Sequence, residues 1–311
     1  MLALPFIALA LAVAPAGSAG GRVPDDSLAA RIAARIAQTP GAVVGVAFRD
    51  PERRDSLYVN ADELFHAAST MKLPVMIELF RRVDAGALAL EQDLLLVNQF
   101  ASIVDGSPYA LDSREDGDSS LYAKVGTRVP LSELIARMID HSSNLATNAL
   151  IALAGPATAT RTARALGAPR IEVLRGVEDQ KAFDRGLVNR TSARDLAALF
   201  EALATDRAAS PASCRRMRDI LLGQAYNDGI PAGLPAGTRV AHKTGDITAV
   251  NHDAGIIYPA GRGPYVLAVL TRGIEKYEDA QRLIADVARL VHAHATAGAA
   301  TAAASGEARG R

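Results

Sequence analysis

The sequence has no excess of charge of either sign. Its 311 residues include 34 lysine or arginine and 34 aspartate or glutamate side chains, which leaves a formal net charge of zero. Because binding to nucleic acid or an anionic membrane through the overall field needs a surplus of cations, we expect neither partner. The hydrophobic fraction of 49% and the charged fraction of 22% are typical of a globular protein, which excludes disorder of the whole chain.

Cysteine and lysine are scarce. Cys214 is the single cysteine, so no intramolecular disulfide can form, and we interpret it as a packing residue because no partner base lies near it in the sequence. Lysine supplies five of the 34 cations, at positions 72, 124, 181, 243 and 276. A lysine inside a short motif is therefore informative.

Long apolar runs are missing beyond the N-terminus. Residues 2–16 form one apolar stretch, which is short for a membrane span and is followed by small residues that would allow cleavage after Ala16 or Ala19. We interpret residues 1–19 as a secretory signal peptide and expect an exported protein, periplasmic or secreted, without stable membrane insertion after cleavage. The n-region lacks lysine and arginine, so an uncleaved anchor is the alternative.

Hydrophobic periodicity predicts an α+β fold. A helix is predicted over residues 25–39, a β-hairpin over 42–60, and helices for about 150 residues beyond Ser69. Three strands within residues 239–272 and a last helix follow. Together they predict an antiparallel five-stranded sheet flanked by helices, with an inserted all-helical subdomain and a cleft between the two parts. The predicted boundaries are 25–68 and 236–295 for the sheet part, 69–235 for the helical part and 296–311 for a disordered tail.

Three short motifs follow one another along the chain: Ser69-Thr70-Met71-Lys72, Ser142-Ser143-Asn144 and Lys243-Thr244-Gly245. The first serine lies where an extended segment gives way to a helix, so its lysine falls one turn later on the same face and can deprotonate it. The third motif is expected about 0.02 times by chance in this composition and lies on a predicted strand. Its lysine and threonine offer a cation and a hydroxyl to a carboxylate, and its glycine would let a ligand approach the backbone.

Singly, the first two motifs could be helix starts with capping serines. In this order, all three resemble class A β-lactamases and the penicillin-recognising serine hydrolases, over roughly residues 25–295. By this resemblance Ser69 is the acylated nucleophile, Lys72 its proton acceptor, and Ser142 the relay that protonates the leaving β-lactam nitrogen. The backbone amides of Ser69 and Asp246 would form the oxyanion hole.

The resemblance also implies a small-molecule ligand, either a β-lactam or a peptidoglycan-like substrate. Asn144 resembles the residue that holds the substrate's amide side chain, and Lys243, Thr244 and Gly245 resemble the strand that binds the β-lactam carboxylate. His252 is our candidate for the carboxylate-binding role that an arginine has in many family members. Arg272 is the alternative.

Neither a metal nor another cofactor is expected, although the chain has six histidines. His292 and His294 lie two residues apart on a helix and so point to different faces. His242 and His252 flank neighbouring strand positions and more simply orient the strand or the substrate. Nothing in the sequence requires more than a monomer.

Glu178 is the candidate base for hydrolysis of the acyl-enzyme. It lies 34 residues after Asn144, which is the interval to the water-activating glutamate in class A β-lactamases. Those enzymes have an asparagine four residues later that helps to hold the water, but this chain has Ala182. The candidates in this segment to replace it are Gln180, Asp184 and Asn189.

Two further features depart from the family pattern. Ser143 replaces the aspartate of the second motif and removes a charge that would order the surrounding loops. The polar segment 97–122 is longer than the family norm. We expect it to be a solvated loop, with a role at the rim of the cleft as the alternative.

The leading hypothesis is an exported serine β-lactamase that is acylated on Ser69 and deacylated by water. The alternative is a D-alanyl-D-alanine peptidase-like or esterase-like hydrolase that is acylated by β-lactams but releases them slowly. Ala182 keeps this alternative open, because only deacylation separates the two. A non-catalytic penicillin- or peptidoglycan-binding module is a third hypothesis, disfavoured by the intact serines and lysines.

Overall fold

The computed structural model describes residues 27–297. The predicted signal peptide lies outside these residues, as does the predicted tail from residue 298 onward. Within the described range the helices are α1 (Leu28–Ala37), α2 (Lys72–Asp84), α3 (Leu131–Asp140), α4 (Asn144–Ala154), α5 (Pro156–Ala165), α6 (Gln180–Asp184), α7 (Ala193–Ala204), α8 (Pro211–Leu221) and α9 (Tyr277–Thr296).

The strands of the same range are β1 (Val43–Asp50), β2 (Asp55–Val59), β3 (Phe65–His66), β4 (Asp93–Leu95), β5 (Phe100–Ala101), β6 (Pro108–Tyr109), β7 (Arg128–Pro130), β8 (Arg190–Thr191), β9 (Arg239–Ile247), β10 (Val250–Tyr258) and β11 (Tyr265–Arg272). Five of them form one antiparallel sheet in the order β2-β1-β11-β10-β9. The predicted five-stranded antiparallel sheet with flanking helices is therefore confirmed.

The two faces of the sheet pack against different helices, as the alternation along β1 requires. Val44, Val46 and Phe48 lie on the face covered by α1 and α9. Ala47 lies on the opposite face, in the larger core that includes α2, α3, α4 and α7. Gly45 is on this second face, where an added Cβ would lie 3.1 Å from Phe65 and 3.5 Å from Ala193. A small residue there lets α7 and the segment before Ser69 approach the sheet.

The inserted part is built mainly of helices and also contains short strand pairs. The pair β4–β7 and the pair β5–β6 lie within it, and β3–β8 joins the segment before Ser69 to the chain before α7. Gly86, Gly155 and Gly167, the predicted helix stops, each have a positive φ just beyond a helix end. Cys214 is buried in the core, as predicted. Among residues 27–297, no helix is long and apolar enough to span a bilayer.

Candidate active site

Ser69 lies in a single 3-10 turn, Ala68–Met71, that leads directly into α2. Pairing of β3 with β8 holds the extended segment before this turn. Ala68 has a φ of 44°, a left-handed conformation that residues with a side chain rarely adopt. Lys72 is the first residue of α2, one turn after Ser69, in agreement with the spacing of the motif.

Lys72 connects the first motif to the second. Its buried Nζ donates hydrogen bonds to Ser142 O at 2.6 Å, Ser142 Oγ at 3.1 Å and Asn144 Oδ1 at 2.9 Å. Three acceptors suit an ammonium group, but burial, and after it the charge of Lys243, hold the pKa of Lys72 well below its usual range. The amine therefore loses its proton readily, which is what a general base for a serine hydroxyl requires.

Ser142 connects the second motif to the third through a hydrogen bond. Its Oγ accepts hydrogen bonds from Lys72 Nζ and from Lys243 Nζ, both at 3.1 Å. Since both lysines donate to this oxygen, its own proton is available to a group in the cleft. Burial lowers the pKa of Lys243 to about 8, and its Nζ also donates to Thr244 O at 2.9 Å. Ser142 itself has a φ of 57°, so strained backbone occurs at Ser142 and at Ala68, the residue before Ser69.

Gly245 is required by the fold of the site itself. A Cβ at this position would lie 2.9 Å from Ser69 N and 3.0 Å from Thr70 N. The sequence motif suggests close approach of a ligand, but the neighbour that needs the space is the turn that carries Ser69. Asp246 follows at the exposed end of β9 and lines the same cavity as Ser69, and Thr244 is buried beside Lys243.

Glu178 lies close to the second motif. Its Oε1 accepts a hydrogen bond from Asn144 Nδ2 at 2.6 Å, which links it through Asn144 to Lys72. Burial raises the pKa of Glu178, and the charge of Asp116 acts in the same direction. The residue has a φ of 60°, so its carboxylate is presented by a strained backbone.

Of the three residues proposed to replace the missing asparagine, Asn189 and Gln180 line the cavity and Asp184 does not. Asn189 uses its side chain on Leu174 N, Arg175 N and Arg175 O. Gln180 donates from Nε2 to Asp184 Oδ1 at 2.6 Å, and its Oε1 accepts no hydrogen bond within residues 27–297. Ala182 is buried, so the position of the family asparagine is filled by a core contact.

His252 does not take the carboxylate-binding role predicted for it. Its ring is buried, with Nε2 2.8 Å from His66 O and Nδ1 2.8 Å from Asn251 O, and it packs edge-on against Phe65. Burial lowers its pKa to about 4, so it is uncharged at neutral pH. The alternative, Arg272, binds Glu63 at 2.6 Å and Leu64 O at 3.1 Å. His252 faces inward on β10 and supports the segment before Ser69.

His242 orients the third motif, in agreement with one of the interpretations given above. Its Nδ1 lies 2.8 Å from Asp253 Oδ1, and both side chains are buried between β9 and β10. Within residues 27–297 no group of three or more histidine, cysteine, aspartate or glutamate side chains is arranged to hold a metal.

Asp116 is a site residue that the sequence analysis missed. Its carboxylate accepts hydrogen bonds from Asn144 N at 3.0 Å, Leu145 N at 2.8 Å and Tyr122 Oη at 3.0 Å. It therefore places a negative charge at the start of α4, beside the second motif. Ser143, where the family has an aspartate, caps Ala146 N with its hydroxyl at 3.2 Å. The serine at position 143 was the sequence signal that another residue had to supply the missing carboxylate.

The segment 97–122 is thus not a merely solvated loop. Asp179, next to Glu178, accepts hydrogen bonds from Ser102 Oγ and Ile103 N, both at 2.9 Å. Tyr109 Oη donates to Val177 O at 3.2 Å. The expectation of a solvated loop is wrong for these contacts, and the alternative role at the cleft is the one that the structure supports.

Asn148 is a second residue that the sequence analysis missed. One turn after Asn144 on α4, it accepts from Val177 N at 2.7 Å and donates to Val177 O at 3.0 Å. An added Cβ on Gly176 would lie 2.4 Å from Asn148 Oδ1. Asn148 therefore fixes the backbone just before Glu178, and its i, i+4 spacing from Asn144 could have indicated it.

These groups line one cavity of about 330 Å³, with Ser69, Asn144, Glu178 and Asp246 in its wall. Lys72, Ser142 and Lys243 lie immediately behind this wall, joined by the hydrogen bonds described above. A serine nucleophile, two lysines of lowered pKa and a carboxylate of raised pKa form an arrangement suited to acyl transfer to serine and then to water.

Comparison with known proteins agrees with this chemistry. A β-lactamase from Streptomyces albus G is 30% identical over 282 residues, which cover 88% of this chain and 86% of that protein. The solved structure of PBP-A is 29% identical and covers 86% of this chain and 95% of that one, with a TM-score of 0.74. An ancestral class A β-lactamase is 28% identical, covering 86% of this chain and 100% of that one, with a TM-score of 0.74.

The family model described as the beta-lactamase enzyme family matches residues 27–295. This match covers nearly all of the described chain, including the three motifs, Asp116 and Glu178. The chain belongs to the β-lactamase enzyme family.

Proposed function

We propose that this protein hydrolyses the amide bond of β-lactams through an acyl-enzyme on Ser69. The observation that carries the proposal is the position of Ser142 Oγ, 3.1 Å from both Lys72 Nζ and Lys243 Nζ, beside a glutamate bonded to Asn144. In this arrangement Lys72 can accept the proton of the nucleophile and Ser142 can protonate the leaving nitrogen. Glu178 can remove a proton from the attacking water.

Acylation begins when Lys72, as the neutral amine, accepts the proton of Ser69 Oγ. The oxygen attacks the β-lactam carbonyl, and the backbone N–H groups of Ser69 and Asp246 stabilise the negative charge on the carbonyl oxygen. The C–N bond then breaks, and the nitrogen takes the proton of Ser142 Oγ. Lys72 returns the first proton to Ser142, so the lysine ends neutral and Ser69 carries the acyl group.

Deacylation uses Glu178. Desolvation raises its pKa, so the carboxylate is a stronger base than a glutamate of ordinary pKa. It removes a proton from a water that attacks the ester carbonyl, and the same proton then restores the hydroxyl of Ser69. The product is the ring-opened acid. Asn144, which donates to Glu178 at 2.6 Å, holds this base and contacts the substrate amide.

Substrate binding is assigned to β9. Lys243 is buried behind the strand, so it attracts the substrate carboxylate through its charge, and the Thr244 hydroxyl is the group that donates a hydrogen bond to it. His252 has no part in this step, since both of its ring nitrogens lie against main-chain atoms.

A second function is a penicillin-binding serine hydrolase that is acylated normally but deacylates slowly. Ala182 favours it, because this buried side chain offers no amide to the deacylating water. Mass spectrometry of the enzyme mixed with a chromogenic cephalosporin separates the two. We expect many turnovers and a short-lived adduct on Ser69, both lost in Ser69→Ala. A stoichiometric burst with a long-lived adduct contradicts β-lactam hydrolysis and supports the second function.

Further parts of the proposal concern the protein in its cellular setting. The apolar segment 2–16 supports export and cleavage after Ala16 or Ala19, and the balanced charge supports the absence of a nucleic-acid partner. We propose a monomeric catalytic domain over residues 25–295 and a role in resistance to β-lactam antibiotics. N-terminal sequencing of the protein recovered outside the cytoplasm tests cleavage, since an intact Met1 contradicts it.

A further inference from the structure

Arg175 lines the active-site cavity as a buried cation with no acidic partner. It is 5% exposed, and its guanidinium donates to Leu187 O from Nε at 2.7 Å and to Gly176 O from Nη1 at 2.8 Å. Within residues 27–297 it makes no ion pair, and the acidic group that acts on it, Asp179, does so through its charge and not through a hydrogen bond. Nη2 makes no hydrogen bond in this range and is not among the fully enclosed unpaired atoms, and Arg175 is one of the residues that line the cavity.

His66 offers a second donor to the same cavity. Its Nδ1 accepts a hydrogen bond from Ala68 N at 3.0 Å, which places the proton of the neutral ring on Nε2. Burial, and after it the charge of Arg175, lowers the pKa of His66, so the ring is neutral and close to the guanidinium. Its Nε2 has no hydrogen-bond partner in the described part of the chain. Phe183 lies beside the ring with centroids 6.2 Å apart.

The acidic side chains of the cavity do not bond to Arg175, because they accept hydrogen bonds from other groups or lie on the side of the cavity that carries Ser69. Asp179 is the carboxylate whose charge acts most on Arg175, and its oxygens already accept from Ser102 Oγ, Ile103 N and Ala182 N. Glu178 is bonded to Asn144, and Asp246 lies at the end of β9. Asp179 therefore offsets the charge of Arg175 without bonding to it, and a ligand that bonds to the guanidinium directly would lower the remaining cost of burying this cation.

We propose that Arg175 and His66 form a subsite for an anionic group on the acyl side chain of the substrate. The inference rests on the proposed function and names its substrate class: β-lactams whose side chain ends in a carboxylate. The guanidinium binds that carboxylate through Nη2, the imidazole donates from Nε2, and Phe183 covers the apolar part of the side chain. A carboxylate on the first side-chain carbon would lie near Glu178, so the subsite selects one placed further out.

The test compares two cephalosporins that share every atom except the end of the side chain, which is a methoxyimino group in one and a carboxymethoxyimino group in the other. The measured quantity is the ratio of kcat/KM for the anionic substrate to kcat/KM for the neutral one. We expect Arg175→Gln to lower this ratio about tenfold or more, with Arg175→Lys retaining most of it. Arg185→Gln, an exposed arginine of the same segment, is the matched control and leaves the ratio unchanged.

A second variant covers the case in which Arg175→Gln does not fold. Phe183 is 48% exposed, so Phe183→Glu is tolerated and places a negative charge beside the subsite while Arg175 stays intact. This variant should lower the ratio, and Phe183→Gln should not. If the ratio is the same in wild type, Arg175→Gln and Phe183→Glu, the subsite does not exist.

Measuring acylation and turnover separately distinguishes this inference from the proposed function. If both cephalosporins acylate Ser69 but are not released, hydrolysis is contradicted while the ratio of acylation rates still tests the subsite. If neither acylates the protein, the proposed function fails and the subsite falls with it.

Discussion

The two walls of the cleft are built in different ways. The sheet wall, formed by β9 and the turn that carries Ser69, is held by the regular pairing of β9 with β10 from Arg239 to Ile247. The loop wall, formed by segments 97–122 and 172–190, is held mainly by side chains that bind backbone groups, among them Asn148, Asp179 and Asn189. Of the groups assigned to acylation, Ser69, Lys72 and Lys243 lie on regular elements and Ser142 lies in the short link between α3 and α4, whereas the base assigned to deacylation lies on a longer loop.

This difference suggests that the two half-reactions can fail independently. Strand pairing through backbone hydrogen bonds tolerates many side-chain substitutions. A loop whose conformation depends on hydrogen bonds from a few side chains does not tolerate the loss of those side chains. Changes on the sheet wall should therefore affect acylation, and changes on the loop wall should affect deacylation. Each prediction below tests one wall.

The largest effect is expected on the loop wall, at Glu178. Glu178→Gln keeps the shape and the contact with Asn144 but removes the base, so deacylation should slow by about 10³-fold while acylation changes little. Rapid-mixing mass spectrometry should then show the acyl-enzyme accumulating. Glu172→Gln, an acid of the same segment outside the cavity, is the control. Release of product at the normal rate by Glu178→Gln would falsify the assignment of the base.

Gly245→Ala tests the sheet wall. The new Cβ would lie 2.9 Å from Ser69 N, so the turn that provides one oxyanion donor must move. We expect acylation to fall by about 10²-fold, the cost of losing one such donor. Gly233→Ala is the matched control, because its Cβ also collides with backbone, at the carbonyl of Ala285 in α9, but away from Ser69 and the third motif. It should lower thermal stability and spare the acylation rate of the folded protein.

Lys243 makes the sheet wall sensitive to alkaline pH. Its pKa is lowered to about 8, so above this pH the ammonium that attracts the substrate carboxylate is lost. We expect kcat/KM to fall about tenfold for each pH unit above it. Lys243→Arg keeps the charge and should move this limb to higher pH, whereas Lys124→Arg, which is bound to Glu133 away from the site, should not. An unchanged alkaline limb in Lys243→Arg contradicts the assignment.

Asp116→Asn tests the part of the loop wall that reaches the second motif. Loss of the charged acceptor for two N–H groups of α4 should lower the free energy of unfolding by about 1–2 kcal/mol. The Asp116 charge raises the pKa of Glu178 and of Lys72, so its removal lowers both. The acid limb of deacylation, where Glu178 must be ionised, should therefore shift to lower pH.

The control for this variant is Asp112→Asn, an exposed change in the same loop whose carboxylate binds Arg114. It should leave both stability and the pH profile in place. A loss of stability without any shift of the acid limb would show that Asp116 acts on folding alone.

The sheet wall was the part that the sequence could predict. The apolar strand segments and the three motifs, with the family resemblance that the motifs carry, predicted that Ser69, Lys72, Ser142 and Lys243 share one cleft, and each motif lies on or next to a regular element. The same reasoning failed for His252. His252 lies on a central strand that is buried on both faces, and hydrophobic periodicity cannot tell which of these faces is next to the ligand site.

Apart from Glu178, the loop wall could not be predicted, because its contacts are made by single polar side chains in irregular backbone. Asp116 is one of several acids in a polar run, and no periodicity distinguishes the one that binds α4 from its neighbours. The two-residue strands β5 and β6 are too short to give an alternating pattern. Arg175 likewise looks like any surface cation in the sequence.

The smallest effect is expected where the two segments of the loop wall meet in solvent. Lys181 Nζ lies 2.8 Å from Asp105 Oδ2 and 2.7 Å from Ser107 Oγ, and these side chains are largely exposed. Exposed ion pairs are screened by water and salt, so Lys181→Met should change the deacylation rate by less than about twofold. The loop wall is then held by the buried bonds of Asp179 and Asn148. Lys276→Met is the control. A large loss of deacylation rate in Lys181→Met but not in this control would mean that the exposed contacts of Lys181 set the position of Glu178.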